Sequence, residues 1–333
     1  MNQPHSILIT GSSGFVGGAL LRACLRDKWD VLGIGRRPHE KLSENVPKLS
    51  YLSFDLTHPF EESGLTRSRS FDVVVHAAAL SSPWGSRKDF YENNVLATKN
   101  LLQYCRSNNL PRFIFISSTS VFYRCYDQFD ITEKTPFAEK AVNRYSASKQ
   151  EAERLVREYP GDWCILRPRA VFGYGDTVLF PRILAAARAG RFPLLLRKGE
   201  PVVSDMLSIN NLVHYILTAA CTPGIQDDFN LTDGNPVAVI DLLLDVFRRL
   251  DIPFPKRKMN TKTAFHIARG IEWFYSLFRL RQEPPITQFG VHAFAYSKTF
   301  DISKAISRFG KPPVPYEESV ERFIQWIENE QPY

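Results

Sequence analysis

The apolar run Ile7-Leu8-Ile9 leads directly into Thr10-Gly11-Ser12-Ser13-Gly14-Phe15-Val16-Gly17, and a helical pattern continues to Arg26. A strand that turns through glycines straight into a helix restricts the chain to few folds. The glycines let backbone segments pass close together. They also leave the amides at the helix N-terminus open to an anion such as a pyrophosphate. Glycine-rich turns are common, so the weight of this one comes from its place in the first strand–helix unit. Further β-rich runs follow at Val31-Leu32-Gly33-Ile34, Leu49 to Phe54, Val73-Val74-Val75, Phe113 to Ile116 and Trp163 to Leu166. They lack polar alternation, as strands buried on both faces of a parallel sheet do. Helical stretches lie between them, including Asn93 to Arg106 and Tyr145 to Glu158, so the first half reads as repeated βαβ units.

The expectation is an α/β fold: a doubly wound parallel (Rossmann) sheet with a smaller, mainly helical C-terminal substrate domain. Residues 1–175, joined by parts of 205–232, would form the dinucleotide-binding domain, and 176–333 the substrate region. The last helix carries Val320, Phe323, Ile324 and Ile327 on one face. With 333 residues, 44% hydrophobic and 23% charged, the chain can bury a large core, which excludes disorder, collagen and coiled coil. The five cysteines are widely spaced and odd in number, so neither a disulfide framework nor a zinc site is expected, and no metal is expected. No secretory leader and no apolar stretch of spanning length is visible, so the expected location is cytoplasmic.

Where the second strand ends, an acidic residue would accept the ribose hydroxyls of NAD. Here the residues are Gly35-Arg36-Arg37. Two guanidiniums suit a 2′-phosphate, so NADP is expected in preference to NAD. Asp55, with Leu56 beside it, could face the adenine or serve as a turn residue. Tyr145 and Lys149 stand four apart on one helix face. With 13 tyrosines in the chain such a pair arises by chance about half the time; its position after the strand ending in Ser117-Ser118-Thr119-Ser120 gives it meaning. A phenol of ordinary pKa about 10 is a poor proton carrier at neutral pH unless positive charge favours the phenolate.

Together these motifs resemble the extended short-chain dehydrogenase/reductase superfamily, which includes nucleotide-sugar epimerases and 3β-hydroxysteroid dehydrogenases. The resemblance rests on Thr10–Gly17, on Val75-His76-Ala77-Ala78-Ala79, on Asn94-Val95 with Thr98 and Asn100, and on Ser117–Val121. Tyr145–Lys149 and Arg167-Pro168-Arg169-Ala170-Val171-Phe172-Gly173 complete it. It implies Tyr145 as acid/base, Lys149 as the residue that binds the nicotinamide ribose and tunes Tyr145, and Ser118 as the substrate-orienting hydroxyl, with Thr119 as fallback. The cofactor-binding set it implies is Gly11, Ser13, Gly14, Phe15, Val16, Gly17, Arg36, Arg37, Asp55, Leu56, Ala77, Ala78, Asn94, Tyr145, Lys149, Pro168 and Val171. His76 is expected to pack or hydrogen-bond locally rather than catalyse, and Asn94 to tie its helix to the site. Two departures stand out. Phe122-Tyr123 replaces the usual Tyr-Gly, and Asn210-Asn211 occupies a place where an acidic pair is common.

The C-terminal half resembles the branch holding 3β-hydroxysteroid and sterol-4α-carboxylate dehydrogenases, which implies a large hydrophobic hydroxyl or keto substrate. A nucleotide-sugar epimerase, dehydratase or reductase is the alternative enzyme. A dinucleotide sensor without catalysis is disfavoured by the intact Ser118, Tyr145 and Lys149. By resemblance the chain is expected to form a homodimer through the helices around Asn93–Arg106 and Tyr145–Glu158. The net charge of +7 has one source: nine of the 42 basic residues and two of the 35 acidic ones lie between Arg248 and Arg281, leaving 33 of each elsewhere. That segment, 248–281, is also aromatic, with Phe265, Trp273, Phe274, Tyr275 and Phe278. It suits peripheral contact with an anionic membrane surface better than nucleic acid, which is not expected as a partner, and a plainly solvated basic face is the alternative. Against the hydrophobic-substrate reading, the alternative is that Phe265, Ile271, Phe274 and Phe278 simply pack the second domain.

Overall fold

The computed structural model describes residues 6–38, 50–65, 70–197 and 199–330. The chain runs β1 (Ser6–Thr10), α1 (Phe15–Arg26), β2 (Asp30–Gly35), β3 (Tyr51–Ser53), β4 (Val73–His76), α2 (Arg87–Phe90), α3 (Ala97–Ser107) and β5 (Arg112–Ile116). Next come β6 (Gln128–Ile131), α4 (Arg144–Arg157), β7 (Trp163–Pro168), β8 (Val171–Phe172), α5 (Phe180–Arg188), β9 (Leu194–Leu196) and β10 (Val203–Ser204). Then follow β11 (Leu207–Ser208), α6 (Ile209–Cys221), β12 (Gln226–Leu231), β13 (Val237–Ala238), α7 (Val239–Arg249) and β14 (Lys258–Asn260). The chain finishes with α8 (Thr261–Leu277), α9 (Gln288–Ala295), β15 (Lys298–Phe300), α10 (Ser303–Phe309) and α11 (Tyr316–Glu330). Leu49, expected to open the third strand, lies outside the described residues.

Seven parallel strands form the main sheet in the order β12-β7-β5-β4-β1-β2-β3. Alternation along each strand divides its side chains between two cores. Ile7 and Ile9 face α1 and α6, whereas Leu8 faces α3 and α4 with Leu101, Leu102, Ala152 and Val156. All three β1 side chains are fully buried, each contributing roughly 1.5–3 kcal/mol of transfer free energy. The winding direction reverses between β1 and β4, which leaves a crevice at the carboxyl ends of these strands, where such sheets take ligands.

The C-terminal region has its own core, in which Val320, Phe323, Ile324 and Ile327 of α11 pack against Phe172, Phe180, Val246 and Phe247. Alongside its helices lies a four-stranded sheet, β13-β10-β15-β6. Asn211, at the place of the missing acidic pair, is fully buried and clamps the chain. Its amide donates to Asp233 Oδ1 at 2.7 Å and to Val314 O at 2.9 Å, while its oxygen accepts from Val314 N at 3.0 Å.

Candidate active site

The turn after β1 places glycine where no side chain fits. Gly11 has φ +71, and a Cβ there would stand 2.7 Å from Ala78 N; a Cβ on Gly17 would fall on the carbonyl of Gly11. Gly14 N donates to Gly11 O at 2.9 Å, and no side chain caps α1 at Gly14. The first amides of that helix therefore face the crevice unobstructed, a cradle that fits a pyrophosphate. Behind it, His76 is fully buried. Thr98 Oγ1 donates to Asn94 O at 2.6 Å, so it must accept from His76 Nε2 at 3.0 Å; Nδ1 then accepts from Thr10 Oγ1 at 2.7 Å. Thr10 Oγ1 in turn accepts from Ala78 N at 3.2 Å. Burial pushes the imidazole down to about 3, and the neutral ring stitches β1, β4 and the helix after it together.

Arg36 and Arg37 leave the end of β2 and are exposed at the mouth of the crevice. Ser53 Oγ donates to Arg36 O at 3.4 Å and Tyr51 OH to Arg37 O at 2.7 Å, which holds their backbone, while Arg36 Nη1 donates to Asn93 Oδ1 at 3.0 Å. Asp55 accepts from Thr57 N at 3.0 Å through one oxygen, so it shapes a turn as well as lining the crevice.

On α4 the residues Tyr145, Lys149, Glu153 and Arg157 follow one another at intervals of four. Lys149 is 2% exposed, donates to Ile116 O at 2.7 Å and lies 4.6 Å from the centre of the Phe115 ring. Burial pulls its ammonium down to about 7, against the opposing pull of Glu153. Tyr145 moves the other way: burial pushes its phenol up to about 12, and the hydroxyls of Ser118 and Ser81 work against that rise. Lys149 Nζ lies 6.0 Å from the centre of the Tyr145 ring. Ser118 Oγ accepts from Ser120 N at 3.2 Å and donates to Ser120 Oγ at 3.0 Å. Thr119 Oγ1 is engaged with Tyr123 OH at 3.0 Å.

Two buried networks fix these groups. Asn94 sits in a π-helical turn over Tyr91–Leu96, a local irregularity frequent at functional sites. Its oxygen accepts from Leu80 N at 2.7 Å and its amide donates to Ser148 Oγ at 2.8 Å, so the loop after β4 is tied to α4 between Tyr145 and Lys149. Below them Glu153, fully buried, takes Arg167 Nε at 2.9 Å and Nη2 at 2.7 Å, and accepts from Ser117 Oγ at 2.5 Å. Arg167 Nη1 also reaches Asp228 at 2.5 Å.

A cavity of about 580 Å³ runs from the glycine turn past Tyr145. Every residue of the expected site lines it except Asn94, which is buried behind the wall; its neighbour Asn93 lines it instead. Sequence reasoning did not name Ser81, Arg169, Phe289, His292 or Lys298 as site residues, yet all five line the cavity. Only the departure at Phe122-Tyr123 hinted at this end. Phe122 is buried against the Arg167 guanidinium, and Tyr123 stands in a wall, shared with Phe289 and His292, between this cavity and a second of about 810 Å³. The second space is bounded by Trp84 and by Phe265 and Glu272 of α8. Ala170, at φ +39, carries backbone strain between the cavity residues Arg169 and Val171.

The NAD dependent epimerase/dehydratase family model matches residues 7–231. This chain belongs to that family. Being a member makes it an NAD(P)-dependent oxidoreductase or epimerase. Curated family relatives span the chain at modest identity. The 2-alkyl-3-oxoalkanoate reductase of Stenotrophomonas maltophilia is 28% identical over 325 residues, covering 95% of this chain and 97% of its own. The 3-beta-hydroxysteroid dehydrogenase of Mycolicibacterium neoaurum is 25% identical, covering 92% of this chain and 87% of its own. The decarboxylating sterol-4-alpha-carboxylate 3-dehydrogenase of Mus musculus is 25% identical and covers 98% and 91%. Among solved structures, the Bordetella bronchiseptica enzyme WbmH in complex with NAD+ superposes with a TM-score of 0.76 at 19% identity, covering 98% of this chain and 99% of that one. That likeness establishes the shared fold.

Proposed function

We propose that this chain is an NADP-dependent oxidoreductase that interconverts a secondary alcohol and a ketone on a hydrophobic, lipid- or steroid-like substrate. The observation that carries the reading is the single cavity with Arg36 and Arg37 at one end and Ser118, Tyr145 and Lys149 along its wall. When bound, a nicotinamide dinucleotide supplies or accepts the hydride. Gly11, Gly14 and Gly17 would hold its pyrophosphate, Arg36 and Arg37 its 2′-phosphate, and Ala77, Ala78, Pro168 and Val171 the faces of its rings. Ser118 Oγ holds the substrate oxygen, and Tyr145 OH donates a proton to that oxygen in reduction or removes one in oxidation. Lys149, anchored on Ile116 O, keeps positive charge beside the phenol. The substrate names of the reductase and dehydrogenase relatives support a lipid-like compound.

The outward face of α8 supports it too. Phe265 packs against Leu195, Ala264, Ala268 and Val291, as the packing expectation has it, but Phe274 and Phe278 are exposed. With Ile267, Trp273 (66% exposed) and Leu277 they form an apolar surface, while Ala264 and Ala268 take the inner face. Arg248 and Arg249 are spent on Asp245 and Glu321, but Lys256, Arg257 and Lys258 before α8, Lys262 and Arg269 on it, and Arg279 and Arg281 after it are exposed. Exposed apolar side chains on a helix with exposed cations on it and at both its ends fit an anionic membrane surface, to which this face docks in our reading. Among the described residues, no helix is long and apolar enough to cross a membrane.

The test is purified enzyme with NADPH or NADH and a panel of hydrophobic 3-keto compounds, with UDP-glucose as the contrasting substrate. Oxidation of NADPH by the ketones is expected; turnover of UDP-glucose with every ketone inert would overturn the reading.

A further inference from the structure

At the inner end of the cavity two cations meet around one ring. Arg169 lies 5.3 Å and Lys298 5.9 Å from the centre of Tyr123, on which His292 is stacked at 5.7 Å. Among the described residues neither cation has a carboxylate within 4 Å. Lys298 is 1% exposed and donates only to the carbonyls of Tyr126, at 2.6 Å, and Ser297, at 3.2 Å. Arg169 donates through Nη2 to Ser204 Oγ at 2.6 Å, while its buried Nε has no hydrogen-bond partner among the described residues. A buried ammonium without a counter-ion is unfavourable, and burial together with Arg169 pulls Lys298 down to about 7.

The nearby acids, Asp127 near Lys298 and Asp205 near Arg169, are each engaged by other partners as well. Asp127 gives both oxygens to Arg197, at 2.6 and 2.8 Å, and one also to Ser297 N. Asp205 takes Phe300 N at 2.8 Å, and burial pushes its carboxyl up to about 6 against the pull of that bond and of Arg169. His292, held down to about 4 and bound to Arg124 O at 3.0 Å, contributes a flat wall and no charge. The place is next to the chemistry, since Tyr123 OH is hydrogen-bonded to Thr119, the neighbour of Ser118.

We propose that Arg169 and Lys298 form an anion-binding subsite that holds the carboxylate of a 3-keto or 3-hydroxy acid while its carbonyl or hydroxyl lies at Ser118 and Tyr145. In such an acid one carbon separates the carboxylate from the reacting carbon, so the cations that recognise it belong beside the acid/base residue. The hydrophobic tail extends past Tyr123 and Phe289 toward the second cavity. The subsite rests on the oxidoreductase reading above and names its substrate class. A diphosphate of a nucleotide sugar offers the same negative charge, so the experiment separates the two.

Wild-type enzyme with NADPH is assayed on 3-oxodecanoic acid, its methyl ester and UDP-glucose. We expect kcat/KM for the acid to exceed that for the ester by about 30-fold, the worth of one or two charge-assisted hydrogen bonds. Arg169→Met and Lys298→Met are each expected to cut that acid-to-ester ratio about ten-fold, while the Kd for NADPH moves less than about two-fold. Equal use of acid and ester by the wild type overturns the subsite while leaving the oxidoreductase reading intact, and needs no variant to fold. Equal losses on acid and ester in both variants overturn it as well. Turnover of UDP-glucose, with both keto compounds inert, overturns the subsite and the oxidoreductase reading together and reassigns the cations to a diphosphate.

Discussion

Glu153→Gln removes one charge from a site that water does not reach. Arg167 is 1% exposed and Glu153 fully buried, and the two share a fork of hydrogen bonds at 2.9 and 2.7 Å. The amide keeps an oxygen for Arg167 Nε and Ser117, but its nitrogen then faces Arg167 Nη2, donor against donor. Removing one partner of a buried ion pair costs about 3–5 kcal/mol. Asp228 still reaches Arg167 Nη1, so the lower end of that range, about 3 kcal/mol, applies. For a chain of this size that corresponds to a fall in Tm of about 6 °C, read by differential scanning fluorimetry on the cofactor-free protein. The double variant Glu153→Gln/Arg167→Met removes the stranded cation and is expected to recover part of the loss, because an apolar replacement of a whole buried pair is often neutral. A fall in Tm of less than 2 °C in the single variant, or a double variant no more stable than Glu153→Gln, would refute the reasoning.

Tyr145→Phe is expected to lower turnover about 100- to 10,000-fold, with the Kd for NADPH, followed by its fluorescence, unchanged within about two-fold. Arg36→Ala and Arg37→Ala should each weaken NADPH about ten-fold and leave NADH nearly unaffected; equal losses for both dinucleotides would remove the 2′-phosphate role. Lys149 titrates near 7 in the fold against 10.5 unfolded, so the folded chain binds fewer protons between those values and stability rises with pH there. Lys149→Met should therefore raise Tm most at pH 6 and progressively less toward pH 9; a pH-independent difference would contradict this. Co-sedimentation with vesicles containing phosphatidylglycerol is expected for the wild type and lost in Trp273→Ser/Phe274→Ser/Phe278→Ser, and binding equal to that on phosphatidylcholine alone would rule out the electrostatic part.

What the sequence revealed of the molecule follows the range of the interactions involved. The buried strands, the glycine turn and the Tyr145–Lys149 helix are local patterns: runs of branched apolar residues, a fixed glycine spacing and an interval of four. The face of α11 was legible for the same reason, because Val320, Phe323, Ile324 and Ile327 repeat within one helix. The small sheet was not, since β6, β10, β13 and β15 are only two to four residues long and draw their partners from up to 170 residues away, as in Asp130 N to Thr299 Oγ1. The same distance hid the cationic end of the cavity. Arg169, His292 and Lys298 belong to no common motif, and only the fold brings them to Tyr123. The helix α8 was visible as basic and aromatic, but which of its aromatics were packed depended on where Ala264 and Ala268 placed its inner face.

Tyr123 stands where chains resembling this one usually carry glycine, and its ring divides two spaces that would otherwise merge. The boundary between the two cavities therefore rests on three side chains, Tyr123, Phe289 and His292. Reverting Tyr123 to glycine would open the reaction chamber toward the region under α8 without disturbing the glycine turn, the acid/base helix or the buried ion network. A lineage built this way can change the bulk of its substrate by small steps at positions 123 and 289 while the machinery for hydride and proton transfer stays in place.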